Sequence, residues 1–160
     1  MPNSFHRQIT LVVLLFVIHG ASLSGEIPLL QPLPERDVFP LTDGDTCSCS
    51  DFRKGTSLNL SNVLLSAEAD EKGTIRTRVH VRGKTEPLDQ KQFVNGKVVH
   101  RITYRGKDTK VVANYRSVDY RKFCSTYPDP PTHGSCFVGT LDIAVGKSVE
   151  SVPIVSVCGC

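Results

Sequence analysis

Apolar positions along this chain recur every second residue, in one short stretch after another. Residues 74–82 show it most clearly: Ile75, Thr77, Val79 and Val81 fall on one face of an extended chain, and Arg76, Arg78, His80 and Arg82 fall on the other. Such alternation predicts a strand with a buried face and a cationic outer face, because successive side chains of a strand point to opposite sides. Residues 58–69 are placed to pair with it across Asp70-Glu71-Lys72-Gly73, a polar turn ending in glycine. Asn95-Gly96 separates Gln92-Phe93-Val94 from residues 97–104 and predicts a two-residue hairpin loop, since both residues tolerate positive φ. Arg105-Gly106-Lys107-Asp108 then turns the chain into residues 110–115, and residues 137–145 and 149–157 form a last pair around Gly146-Lys147. A helical period is absent apart from one possible turn in residues 118–123. About seven short strands at close spacing predict an all-β fold, either a small antiparallel barrel or a sandwich.

The N-terminus breaks this pattern. Residues 9–18 (ITLVVLLFVI) form an apolar run broken only by Thr10, preceded by His6 and Arg7 and followed by the small residues of 20–25. This is the layout of a secretory signal peptide, and the run falls short of the about 20 residues that a membrane-spanning helix needs. Residues 1–24 are therefore read as a signal peptide cut after Ser22 or Ser24, leaving a secreted, extracellular chain with no membrane span. Residues 25–46 carry Glu26, Glu35, Asp37, Asp43 and Asp45 against Arg36 alone, punctuated by Pro28, Pro32, Pro34 and Pro40. Proline at this density opposes helix and central strand alike, so an extended acidic leader is expected, either solvated or folded back on the body. Residues 47–160 form the remaining domain, with seventeen basic and eleven acidic side chains. A chain of 160 residues, 39% hydrophobic and 22% charged, has room for one ordinary globular domain, which excludes a large multidomain enzyme.

All six cysteines lie in that domain, at positions 47, 49, 124, 136, 158 and 160. In an oxidising compartment they are expected as three disulfides. Two cysteines one residue apart on an extended chain point to the same side, so Cys47 and Cys49, like Cys158 and Cys160, should each reach a distant partner. Cys124 with Cys136 closes a short loop. The simplest of the possible pairings then ties Cys47 and Cys49 to Cys158 and Cys160. A four-thiolate zinc site is the alternative, and the C-x-C spacing opposes it, because zinc sites usually separate their cysteines by two or more residues. No metal and no cofactor is expected.

The order of features, Cys47-Ser48-Cys49-Ser50 at the start of the body, Tyr104-Arg105-Gly106-Lys107 within the meander, then Gly139, Gly146-Lys147 and Cys158, resembles the netrin-like domain of tissue inhibitors of metalloproteinases. The resemblance implies a five-stranded OB-like barrel with three disulfides. It also implies an extracellular protein partner, a metalloprotease, engaged through Cys47, Ser48, Cys49 and Ser50. Chelation of the protease zinc by Cys47 would need a free α-amine there, and hence removal of the leader. The ending Val157-Cys158-Gly159-Cys160 also resembles that of cystine-knot growth factors, which implies a dimeric signalling ligand.

Charge adds one further candidate. Arg76, Arg78 and Arg82 on one strand, and Arg101, Arg105, Lys107 and Lys110 around a later turn, would merge into a site for a sulfated glycan or another anionic surface if their strands are neighbours. Modest net charge and the absence of a basic-aromatic motif exclude nucleic acid. Asn59-Leu60-Ser61 is a glycosylation sequon, so Asn59 is expected at the surface near the start of the first strand. His80, His100 and His133 have no metal-ligand spacing; His80 and His100 are expected to face solvent, and no nucleophile, zincin or phosphate-loop motif is present, so no enzyme is expected. The expectation is a secreted binding protein that inhibits or modulates an extracellular protein such as a protease. The alternatives are a signalling ligand, or an effector or structural protein that binds an anionic surface or glycan.

Overall fold

Eight strands built on this alternation close into one barrel. The computed structural model describes residues 27–41, 46–128, 131 and 133–160; the expected signal peptide, with Glu26, Asp43 and Asp45 of the leader, lies outside the described residues. After a short strand β1 (Leu30–Gln31) come β2 (Cys47–Arg53), β3 (Val63–Ala69), β4 (Ile75–Val81), β5 (Lys84–Asn95), β6 (His100–Arg105), β7 (Thr109–Val118), β8 (Gly134–Val145) and β9 (Ser148–Gly159). From β2 onward each strand pairs antiparallel with the next, and β9 returns to β2. Of the two architectures expected, the barrel is the one formed. It is an up-and-down meander of eight strands where the netrin-like resemblance implies five, and full closure leaves no unpaired edge around the ring.

The connections explain where the strands stop. Between β3 and β4, Asp70 Oδ1 accepts from the backbone N–H groups of Lys72 (3.0 Å) and Thr74 (2.8 Å). The β5–β6 hairpin exists, but its turn is not the two-residue one expected. Asn95 ends β5 opposite His100, and residues 96–99 form the loop, with Gly96 N–H donating to the Val99 carbonyl. A Cβ on Gly96 would lie 2.3 Å from that carbonyl oxygen, so glycine is required by close approach rather than by positive φ. Residues 58–62 do not join β3 as expected. Asn62 Nδ2 donates to the Ser57 carbonyl at 3.0 Å, and this local bond holds a single 3-10 turn over Leu60–Asn62. The one helical turn expected forms as α1 (Tyr120–Phe123), capped by Asp119.

The leader is seated on the barrel. β3 pairs with β4 only as far as Leu65 opposite Val79; beyond that point β1 takes its place, with Leu30 opposite Val81. Leu30 is buried among inward-facing side chains, and its N–H donates to Glu150 Oε2. Phe39 is buried against the outer face of β4, with the Arg76 and Arg78 guanidinium groups 5.4 and 4.5 Å from its ring centroid. Arg78 also donates to the Asp37 carbonyl, and Thr85 Oγ1 to Asp37 Oδ2. Of the two possibilities for the leader, folding back is realised over residues 27–41, by aliphatic burial and cation–π contact as much as by charge.

Leu33 of the leader, Phe52, Leu58, Val63, Tyr127, Val155 and Val157 form a second apolar cluster outside the barrel. β9 is therefore covered on both faces, which accounts for its nearly unbroken apolar run. The disulfides follow the expected pairing: Cys47–Cys160 and Cys49–Cys158 are adjacent rungs across the β2–β9 seam, each with Cα atoms 4.1 Å apart, and Cys124–Cys136 anchors the long β7–β8 connection. The terminal C-G-C is thus spent on the seam and forms no ring with the pair at 124 and 136. Non-reducing peptide mapping should recover these three links. Replacing Cys124 and Cys136 together by serine should cost about 3 kcal/mol in denaturant unfolding by loop entropy, with the fold retained.

Candidate functional site

One half of the lumen is filled and the other is hollow, and side-chain size decides which. Toward the β8–β9 turn the inward positions carry Val79, Leu88, Val111, Leu141, Ile143, Val152 and Ile154, all buried and in one cluster. Toward the opposite mouth, β2, β3 and β9 turn Cys49, Ala67, Ala69, Ser156 and Cys158 inward, and these cannot reach across an eight-stranded barrel. The facing wall is aromatic. Phe93 and His100 stack at 6.4 Å, His100 meets Phe137 edge-on at 6.4 Å, and Phe137 meets Tyr115 at 6.1 Å. Between the two walls lies a largely apolar cavity of about 400 Å³, open at the mouth.

A polar layer adjoins the cavity. Asp51 of β2 is fully buried, and its Oδ2 accepts from the Tyr115 hydroxyl at 2.7 Å, while Oδ1 has no partner at hydrogen-bonding distance. Burial pushes the Asp51 carboxyl up to about 6, against the hydroxyls of Ser156 and Tyr115, which favour its charged form. Burial and the Asp51 charge both raise the Tyr115 and Tyr104 phenols, so both stay protonated and can donate. His100 Nδ1 is likewise buried without a partner. The arrangement can therefore hold an apolar body, with His100, Tyr115 and Ser156 as polar groups on its wall and Asp51 buried behind them.

The residues singled out in the sequence are distributed differently. Cys47, Ser48, Cys49 and Ser50 lie within β2, paired on one side to β3 and on the other to β9. Ser48 and Ser50 are buried, and Ser48 Oγ donates to the Pro40 carbonyl of the leader. The segment is not a projecting ridge, and what it offers instead is Cys47 and Cys49 on the cavity wall. The basic groups do not merge, because β5 separates β4 from β6, and Arg76 and Arg78 lie against Phe39. Arg76 is moreover paired with Glu68, and Arg82 sits in the β4–β5 turn, donating to Ser148 Oγ. Arg101, Arg105, Lys107 and Lys110 remain exposed on the β6–β7 side. Asn59 is half-buried in the loop before β3, bonded to Ser57 and Ser61. His80 is half-buried on the outer face, its Nδ1 against Thr85 Oγ1, and His133 is exposed.

His100 is the main correction, since it turns into the lumen rather than toward solvent. It shares an inward face with Ile102 and Tyr104, and this parity was available in the alternation of residues 100–104. Asp51 carried no signal in sequence, because a polar residue after C-S-C-S reads as surface. Among the described residues no group of histidine, cysteine or carboxylate side chains could hold a metal ion. Comparison with family models, with curated proteins and with solved structures finds no match for this chain.

Asp51 gives the site a pH signature. Its folded-state value, about 6, lies above the unfolded 3.8, so the folded chain binds more protons in between. Its contribution to stability is therefore greatest below about pH 4 and is lost as pH rises through about 6. Relative to Asp51→Asn, wild type should lose up to roughly 3 kcal/mol between those limits, read from paired urea melts. A difference between the two proteins that does not vary with pH would contradict the assignment.

Proposed function

We propose that this chain is a secreted binding protein whose barrel lumen takes up a small apolar molecule carrying one hydrogen-bonding group. The observation that carries this reading is the cavity itself: about 400 Å³, walled by alanines and a disulfide on one side and by aromatic rings on the other, beside the Asp51–Tyr115 pair. That volume lies within the usual range for small-molecule sites, and a few convergent polar groups in an apolar enclosure are how such sites fix orientation. Three disulfides are compatible with an extracellular location, and the two across the β2–β9 seam hold the mouth in shape where large side chains are absent. Modulation of another protein through residues 47–50 has less support, because that segment is committed to the β2 strand on both edges.

N-phenyl-1-naphthylamine, a neutral apolar fluorophore, should bind with a blue-shifted, enhanced emission that saturates at one equivalent. Ala67→Phe places a ring in the cavity from the alanine wall and should weaken binding by about tenfold or more, while far-ultraviolet circular dichroism stays unchanged. Equal binding by the variant would move the probe outside the lumen and defeat the proposal.

A further inference from the structure

The mouth of the cavity carries an apolar projection that the barrel itself does not need. In the β5–β6 hairpin, Phe93 is 53% exposed, Val94 47%, Val98 66% and Val99 46%. Val98 and Val99 occupy the loop that displaces the expected tight turn, where polar residues ordinarily stand. Phe93 belongs to both surfaces: it lines the cavity and is half exposed at its rim. Phe93 thus places the hairpin at the rim of the lumen, with Val98 and Val99 in the loop beyond it.

Charge along this hairpin has one sign, while the neighbouring β3–β4 turn at the same mouth carries Asp70 and Glu71 beside Lys72. Residues 90–107 contain Lys91, Lys97, Arg101, Arg105 and Lys107 and no carboxylate. Lys91 is paired with Asp89, whereas Lys97 and Arg101 flank the tip and are exposed. Aliphatic side chains at a loop tip, with cations directly behind them, match the interface of an anionic bilayer: the apolar groups enter the acyl boundary and the cations meet the headgroups. No helix among the described residues is long and apolar enough to cross a membrane.

We infer that the β5–β6 hairpin tip docks the barrel on anionic lipid surfaces, through Val98 and Val99 with Lys97 and Arg101, and so aligns the cavity mouth with the membrane that supplies or receives its ligand. The transfer part rests on the lumen being a ligand site; the docking part stands on the hairpin alone. A tip that meets the bilayer brings Phe93 to the boundary, and an apolar molecule could pass along it without crossing water. A second copy of the chain or a soluble protein partner are the other occupants such a tip could have, and neither explains the exposed cations Lys97 and Arg101 that flank it or its place at the cavity mouth.

Flotation with vesicles of phosphatidylcholine, with and without phosphatidylserine, tests the docking. Wild type should float with the phosphatidylserine vesicles and hardly at all with the neutral ones, and added salt should release it. Val98→Asp with Val99→Asp should abolish flotation. Lys97→Gln with Arg101→Gln should weaken it about thirty-fold, from about 1 kcal/mol per basic side chain near the surface. Both variants should still bind N-phenyl-1-naphthylamine in solution, which shows that barrel and lumen are intact. Flotation that is indifferent to phosphatidylserine or to the aspartate variant overturns the inference. So does a dimer in sedimentation that the aspartate variant converts to monomer, since the tip would then be occupied by a second copy. If the fluorophore fails to bind wild type while tip-dependent flotation persists, the lumen reading falls and the docking remains.

Discussion

A meander of antiparallel strands becomes a barrel only when its first strand finds its last, and here that meeting is the pairing of β2 with β9. It is the least local strand pairing of the fold: Ser48 lies opposite Gly159 and Arg53 opposite Ile154, across nearly the whole domain. Without it the sheet would keep two open edges and its inward face would be wet. Two disulfides sit at this seam, Cys49 directly opposite Cys158 and Cys47 joined to Cys160 at the mouth. Links between such distant residues remove much chain entropy from the unfolded state, so they favour closure where closure is entropically most costly.

Closure also decides where the lumen can stay open. The seam is held covalently at the mouth, so that end does not need its interior filled by large side chains, and alanines, serine and the disulfides themselves occupy the inner wall. The opposite end has no such link and is held by packing: branched side chains fill it, and the leader completes the wall where β3 ends. Gly139 shows how closely the strands are drawn together on the far side, since a Cβ there would lie 1.7 Å from the Asn114 carbonyl oxygen of β7. Asp51 lies on the seam strand and is held buried with one oxygen unpartnered. A carboxylate in that position costs stability, and Tyr115, which both bonds it and lines the cavity, links this buried group to the lumen wall.

Much of the barrel was legible in sequence because the alternation of residues 74–82, the turns at Asp70 and Gly146 and the two C-x-C clusters each have a local physical meaning. Strand geometry excluded bonds within each C-x-C cluster, because neighbouring cysteines on one face must look elsewhere, and the simplest remaining pairing is the one formed. What alternation could not specify was distance around the ring. The basic residues of β4 and β6 are close in sequence, yet β5 holds them apart. The leader's composition announced charge and proline, while its attachment depends on Leu30, Leu33 and Phe39, three apolar residues scattered among prolines. The cavity was hidden for a similar reason. Ala67 and Ala69 read as unremarkable strand residues until closure sets them opposite His100 and Phe137, and a hollow is a property of both walls together.

The lumen as a ligand site is the claim on which the functional account turns, and the isoleucines allow a direct test. Ile75 and Ile102 line the cavity, Ile143 and Ile154 lie in the filled half, and Ile27 lies near the opposite end beside Arg82 and Ser148. Titrating N-phenyl-1-naphthylamine into protein carrying labelled isoleucine methyl groups should move the Ile75 and Ile102 signals in a saturable manner and leave those of Ile143, Ile154 and Ile27 nearly in place. Shifts confined to Ile27, or spread evenly over all five, would contradict a binding site in the hollow half of the barrel.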